Sequence, residues 1–234
     1  DLITTPWPTE RHGYDPTSGQ FINVKINDSL QPYLRRPMSI CDYDENHITI
    51  IFKVVGEGTQ ILSQKNIGDT LDCLTGLGNG FLDFQAQKAV VIGGGLGVPP
   101  MYNLAKTLKN HGVEVQAVLG FNSQNDIFYQ KEFMDICPTY IATMDGSVGV
   151  KGTVIDALKE NHIEFDKYYA CGPEKMLDAL VLTYPENGYL SFEARMGCGF
   201  GACMGCSCKV KTKPYKRICV EGPVLMSSEV IVNG

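Results

Sequence analysis

The stretch Lys88-Ala89-Val90-Val91-Ile92-Gly93-Gly94-Gly95-Leu96-Gly97-Val98-Pro99-Pro100 decides how this chain folds. Its first five residues form a short apolar run rich in β-branched side chains, the pattern of a strand buried on both faces. The glycines end the strand. Met101, Leu104, Ala105 and Leu108 then recur at helical spacing as far as Asn110. The Pro-Pro pair suits the first turn of that helix. A strand, a glycine loop and a helix in this order open a parallel α/β sheet, and free N–H groups at the helix start favour a phosphate. The loop is not a clean G-x-G-x-x-G, because Pro99 stands where the third glycine belongs; a plain structural turn is the lesser reading of such a loop, and the strand–loop–helix context weighs further against it. Downstream, strands at Val113–Leu119, Tyr140–Met144 and Lys167–Ala170 alternate with helices at Val154–Asn161 and Glu174–Thr183.

Two further loops fall on the rim where ligands of a parallel sheet bind, at the carboxyl ends of its strands. Cys171-Gly172-Pro173 leaves the last strand and opens a helix. Thr143, Asp145, Gly146, Ser147 and Gly149 form a polar glycine loop. Upstream, residues 20–84 read as β. Gln20–Ile26 alternates, His47–Val55 is rich in Ile, Val and Phe, and Asp69–Leu74 is a short strand. Gly56-Glu57-Gly58 and Gly76-Leu77-Gly78-Asn79-Gly80 read as turns between them. Closely spaced strands without helices suggest a small antiparallel barrel. Within it, Arg36-Pro37-Met38-Ser39-Ile40 combines a cation suited to a pyrophosphate with a hydroxyl suited to a ring edge. Read in isolation, Arg35 and Arg36 are ordinary surface charges. Ahead of this region Asp1 to Gly19 reads as polar, Pro-rich loop without an initiator Met, as though the chain began part-way through a domain.

The C-terminal part carries Cys198, Cys203, Cys206 and Cys219, spaced C-x4-C-x2-C-x12-C. The first three follow the plant-type ferredoxin run and the fourth comes after a longer gap, so the set suits a [2Fe–2S] cluster. Met196 to Cys206 is nearly all small or apolar, which lets backbone N–H groups approach sulfur. A structural zinc site would more often show two C-x2-C pairs. A disulfide framework fits poorly with nine cysteines and no signal peptide. Cys208 reads as a bystander on the other side of a strand, and Cys41, Cys73 and Cys137 as small buried hydrophobes.

With 234 residues the chain has room for two compact domains and a small module. A net charge of -6 and no basic stripe argue against nucleic acid. No apolar run approaches the roughly 18 residues of a membrane helix. Many free thiols point to a reducing cytoplasm. The four histidines show no ligand spacing, and there is no Ser-His-Asp or paired-carboxylate signature.

The ordered set Arg35–Ile40, Gly76–Phe81, Gly93–Pro100, Asp145-Gly146-Ser147, Cys171-Gly172, Glu193–Gly199 and Cys219–Val224 resembles the electron-transfer subunits of NAD-linked dihydroorotate dehydrogenase, in the ferredoxin-reductase superfamily. The resemblance spans Gly19 to Val232. It implies an α+β multidomain fold: an FAD-binding antiparallel β-barrel over residues 1–84, a parallel α/β nicotinamide-binding domain over 85–190 and a [2Fe–2S] module over 191–234. It implies that Arg36, Pro37, Met38, Ser39 and Ile40 contact FAD, with Gly58 and Thr59 near its pyrophosphate. Gly93, Gly94, Gly95, Gly97, Cys171 and Gly172 would serve NAD, and Cys198, Cys203, Cys206 and Cys219 the cluster. The implied partner is an FMN-containing catalytic subunit, in a heterotetramer of two of each. Where the family has a first barrel strand, Asp1 to Ser18 does not resemble it. Phe121 to Asp126 carries no Arg or Lys for a 2′-phosphate, which favours NAD over NADP. A related flavin/iron–sulfur reductase subunit of a transhydrogenase or hydrogenase, and a zinc ribbon, are the competing readings.

Overall fold

A computed structural model describes the backbone of Leu2–Pro6 and residues 16–232. Five strands, β1 (Leu2–Pro6), β2 (Phe21–Val24), β3 (Arg36–Tyr43), β4 (His47–Ile51) and β5 (Cys73–Leu77), pair antiparallel in the order β1-β4-β3-β2-β5. Period-2 alternation sends Ile22, Val24, Ile40, Ile48 and Ile50 into one apolar core. Two expectations fail here. The Asp1–Gly19 stretch, read as loop, supplies edge strand β1: Leu2-Ile3-Thr4-Thr5 are good strand formers, and Pro6 is tolerated at an edge. The rest of that stretch up to residue 15 lies outside the described residues. Gly56-Glu57-Gly58, read as a turn, instead starts helix α1 (Glu57–Ser63). The Thr59 hydroxyl accepts from the N–H groups of Val55 and Gly56, and Leu62 plugs the core.

The predicted alternation from Lys88 onward is present as β6 (Lys88–Gly94), α2 (Val98–Asn110), β7 (Glu114–Phe121), α3 (Gln130–Met134), β8 (Thr139–Thr143), β9 (Val150–Lys151), α4 (Val154–Glu160), β10 (Lys167–Cys171), α5 (Glu174–Thr183) and β11 (Gly188–Ser191). In β6, Val90 and Ile92 enter one core while Ala89 and Val91 enter another, on the opposite face of the sheet. Met101, Leu104 and Leu108 of α2 are fully buried, each contributing about 1.5–3 kcal/mol. The polar side of α2 docks on the first sheet: Lys106 Nζ reaches Asp42 at 2.8 Å, and Asn103 donates to the same carboxylate at 3.1 Å.

The C-terminal part adds β12 (Ser207–Cys208), β13 (Lys216–Arg217) and β14 (Val224–Met226). The first two form a small ribbon, while β14 returns to pair antiparallel with β11. The large sheet thus has seven strands in the order β14-β11-β10-β6-β7-β8-β9. The cysteine-rich segment leaves and rejoins this sheet, so residues 192–223 are an excursion rather than an appended tail. β11 itself, absent from the sequence reading, is short and begins at a glycine. Asn79 ties the excursion to the first sheet, its Nδ2 donating to Glu221 O at 3.2 Å and Val224 O at 3.1 Å while its Oδ1 accepts from Val224 N.

Candidate cofactor clefts and cysteine loop

The chain passes from β6 through β7 to β8 and then returns to place β10 on the other side of β6. The strand order reverses there, so a crevice opens above the carboxyl ends of β6 and β10. The two loops that leave these strands touch. A Cβ on Gly97 would sit 2.1 Å from the Cys171 carbonyl oxygen, so only glycine lets the Gly93–Gly97 loop and the Cys171-Gly172 turn close on each other. Gly94 faces Pro173 and Met176 in the same seam.

A cleft of about 270 Å³ lies between the two sheets and the C-terminal excursion. Arg36, Pro37, Met38 and Ser39 come from β3, Thr59 from α1, Phe21 from β2, and Leu96 and Cys171 from the crevice. The excursion supplies Phe192, Glu193, Ala194, Met196 and Pro223. The Arg36 guanidinium lies over Gly58, where an added Cβ would come within 2.6 Å of Nε. It also donates to Leu34 O. Ile40 is the exception among the β3 residues named from sequence: its side chain is buried in the first-sheet core, and its N–H bonds Gln20 O at 3.1 Å. A second cleft of about 550 Å³ continues past Ile51–Lys53 and Leu96 to Gly95, Phe121, Asn122 and the segment Asn125–Tyr129. Asp126, in this wall, caps its own turn by accepting from the N–H and hydroxyl of Ser123. The Asp145–Ser147 loop joins the same rim through Ser147 Oγ, which accepts from Gln124 N at 2.8 Å.

Cys171 is fully buried. Burial, reinforced by the Glu193 carboxylate, pushes its thiol up to about 12, so it remains protonated and acts as a small neutral wall. Glu193 reaches the open water of the cleft, yet the crowding protein walls raise its carboxyl above the usual range.

The four cysteines of the motif meet as two pairs. Cys203 N donates to Cys198 Sγ at 3.4 Å, and the Cys206 thiol donates to Cys219 Sγ at 3.2 Å. Burial opposes ionisation of Cys198, but N–H groups of Cys203, Phe200 and Ala202 outweigh it and bring the thiol down to about 6. Burial raises Cys219 to about 12, with the Cys206 sulfur adding to the effect. Among the described residues, no three His, Cys, Asp or Glu side chains converge on one ion position. None of the nine cysteines is disulfide-bonded. Cys208, expected on the far side of its strand, packs half-buried against the same apolar core as Cys206. Cys41 and Cys137 are buried as expected, and Cys73 only half so.

A protein of Fusobacterium nucleatum subsp. nucleatum, "Dihydroorotate dehydrogenase B (NAD(+)), electron transfer subunit", is 47% identical over 227 residues, covering 93% of this chain and 88% of its own. The chain belongs to this family of electron-transfer subunits. A Geobacillus sp. member is 48% identical over 222 residues, covering 92% of this chain and 86% of its own. The family model for the iron–sulfur cluster binding domain of dihydroorotate dehydrogenase B matches residues 193–231, and that for the oxidoreductase NAD-binding domain matches 91–181. Among solved structures, one from work on flavin-based electron bifurcation by an NADH-dependent reduced ferredoxin-NADP oxidoreductase superposes with a TM-score of 0.84 at 28% identity, covering 93% of this chain and 80% of its own. The flavohem-like FAD/NAD binding domain of a Vibrio cholerae nitric oxide dioxygenase shares the fold alone, with a TM-score of 0.64 at 18% identity. The chain is therefore an oxidoreductase subunit of ferredoxin-reductase-like fold, and membership of this family sets aside the zinc-ribbon reading. Sequence reasoning missed Phe21, Phe192, Glu193 and Pro223 as cleft residues; Glu193 stands in a stretch that carried the resemblance, but no spacing ties it to Arg36. Among the described residues no helix is long and apolar enough to cross a membrane.

Proposed function

We propose that this chain takes electrons from a catalytic subunit that oxidises dihydroorotate and delivers them to NAD+, as a step of pyrimidine (UMP) synthesis in the cytoplasm. In this reading the partner carries FMN, and two copies of each subunit assemble. The observation that carries the reading is the continuity of the main cleft with the cysteine loop. Met196 lines the cleft and Cys198 follows two residues later, a reach of at most about 7 Å along the chain.

The cleft fits a flavin in shape and chemistry. Arg36 brings a five-donor fork suited to a pyrophosphate, with Gly58 and Thr59 beside it. Pro37, Met38 and Ser39 would face the ring, and Ile40 would act through the backbone of β3. Gly93, Gly94, Gly95 and Gly97, with Cys171-Gly172, would flank the nicotinamide, and the second cleft would take the remainder of NAD. The Cys206–Cys219 thiol contact and the Cys203 N–H aimed at the Cys198 sulfur suit a group with two irons, each taking two cysteines; a structural zinc calls for four ligands on one centre. Once these groups are bound, the cluster supplies single-electron transfer, the nicotinamide hydride transfer and the flavin a junction between the two.

This chain's own residues set the geometry. Arg36 anchors with the first turn of α1 beside it, the neutral Cys171 thiol keeps a second negative charge out of the crevice, and Phe21 and Pro223 supply apolar wall. Co-purification with the partner, followed by assay of dihydroorotate-dependent NAD+ reduction, tests the reading. In the assembled, FAD-loaded complex, Cys203→Ser should abolish that activity and spare NADH oxidation by an artificial acceptor. Gel filtration alongside separates lost transfer from lost assembly. An assembled variant that still reduces NAD+ from dihydroorotate at the wild-type rate would sink the relay.

A further inference from the structure

We propose that Asn23 is a positioning residue that fixes the Cys198 end of the cysteine loop, and with it the cluster, against the flavin cleft. The inference rests on the cluster assignment above. Asn23 sits within β2 between Ile22 and Val24, which enter the first-sheet core. Alternation turns it to the opposite face, the one that carries Phe21 into the cleft about 7 Å away along the strand. Asn is a poor strand former, and this one is only 1% exposed. A buried amide at such a place costs stability unless it is bonded.

Its bonds lead to the cysteine loop. Nδ2 donates to the Cys198 carbonyl at 3.2 Å across 175 positions of sequence. Gly199 makes this approach possible. Its φ is +81°, and a Cβ there would lie 2.4 Å from Asn23 Nδ2. The other half of the amide is unused. Oδ1 is buried without a hydrogen-bond partner, the one such side-chain atom among the described residues. An apolar side chain of the same shape would spare Oδ1 that cost but would take the donor from the Cys198 carbonyl, so what the amide supplies here is the bond to the ligand peptide. Asn79, which holds the Cys219 side of the module, differs in this respect: both of its polar atoms are bonded to backbone, as a structural staple requires. The first sheet, through β2 and the loop that follows β5, thus grips the module at both ligand ends. At Asn79 the grip is satisfied; at Asn23 it carries an unused acceptor beside a ligand peptide.

The full chain, loaded with FAD and cluster, is compared as wild type, Asn23→Leu, Asn23→Ser and Asn79→Ala. Three quantities are read: the EPR spectrum of the reduced cluster, the rate at which an iron chelator bleaches it, and the rate of flavin reduction by NADH. Groups that orient metal ligands typically change metal affinity by 10–100-fold when removed, so Asn23→Leu should bleach ~10-fold faster or more. Its g-values should shift while flavin reduction keeps the wild-type rate. Asn79→Ala should leave the g-values unchanged. Loss of the cluster from both Asn23 variants with FAD retained also supports the proposal. Unchanged g-values and bleaching in Asn23→Leu, equal g-shifts in Asn79→Ala, or joint loss of FAD and cluster from both Asn23 variants would each overturn it. The wild-type signal tests the cluster assignment separately, since its absence there defeats that reading whatever the variants do.

Discussion

The glycine loop after β6 and the cysteine loop before β12 are held in place by different means. Gly93–Gly97 lies between a strand buried on both faces and a helix whose Met101, Leu104, Ala105 and Leu108 are fully buried. Its shape follows from packing, whatever it binds. Around the cysteine loop the regular elements are two-residue strands, Cys203 is exposed, and Phe200 is 57% exposed. There the shape depends on hydrogen bonds from Asn23 and Asn79, on the β11–β14 pairing, and on whatever joins the two cysteine pairs. A site built from core packing is ready before its ligand arrives, whereas a site built from few buried contacts is completed by its ligand.

The largest expected effect breaks this contrast most visibly. Stripping the cluster with a chelator, or changing Cys219→Ser, should remove amide-exchange protection from residues 196–221 and leave β6, β7 and β10 protected. Equal loss in both regions would show that the module and the α/β sheet open as one unit. Next comes Gly97→Ala, which forces a Cβ against the Cys171 carbonyl. Overpacking of this kind costs about 1–3 kcal/mol. At about 2–4 °C per kcal/mol for a chain of this size, the melting temperature should fall by several degrees and NAD binding should weaken. An unchanged melting temperature would mean that the crevice loops are looser than the packing account allows.

Cofactor choice sharpens the same comparison on the packed side. The wall formed by Phe121, Asn122 and Asn125–Asp126 offers a carboxylate, and the cation that lines this cleft, Lys53, comes from the segment after β4 rather than from that wall, so kcat/KM for NADH should exceed that for NADPH, by ~10-fold if one charge contact of about 1.4 kcal/mol decides it. Equal values would contradict this. The smallest effect concerns Glu193. Its folded carboxyl pKa is raised, so relative stability is retained below the ordinary carboxyl range and lost as pH rises through the raised value. Glu193→Gln should therefore match wild type in acid and melt slightly higher near neutral pH. The difference stays small because the side chain still meets water in the cleft.

Legibility in the sequence followed the same division. Lys88–Ile92, the helix from Met101 and the strand–helix alternation were readable because hydrophobic period and glycine punctuation agree there. The iron–sulfur module was readable because the spacing of its cysteines is written into chain separation. Strand β1 was hidden by the prolines and polar residues that surround Leu2–Pro6, and α1 by glycines that resemble a turn. The excursion's return through β14 was also hidden, since three residues at Val224–Met226 carry no period of their own. Phe21, Glu193 and Pro223 reach one cleft from positions about 170 to 200 residues apart in the case of Phe21, and only tertiary structure joins them. Asn23 was invisible for the same reason: its partner is 175 residues away.

The central claim is that Cys198, Cys203, Cys206 and Cys219 jointly hold one two-iron cluster beside the flavin cleft. EPR of the reduced full chain, with iron and sulfide analysis, tests it across single Cys→Ser changes at these four positions and at Cys208. The account predicts a [2Fe–2S] signal in wild type and Cys208→Ser, and its loss or marked alteration at each of the other four. A Cys208→Ser protein without the signal, beside a Cys219→Ser protein that keeps it unchanged, would contradict the account.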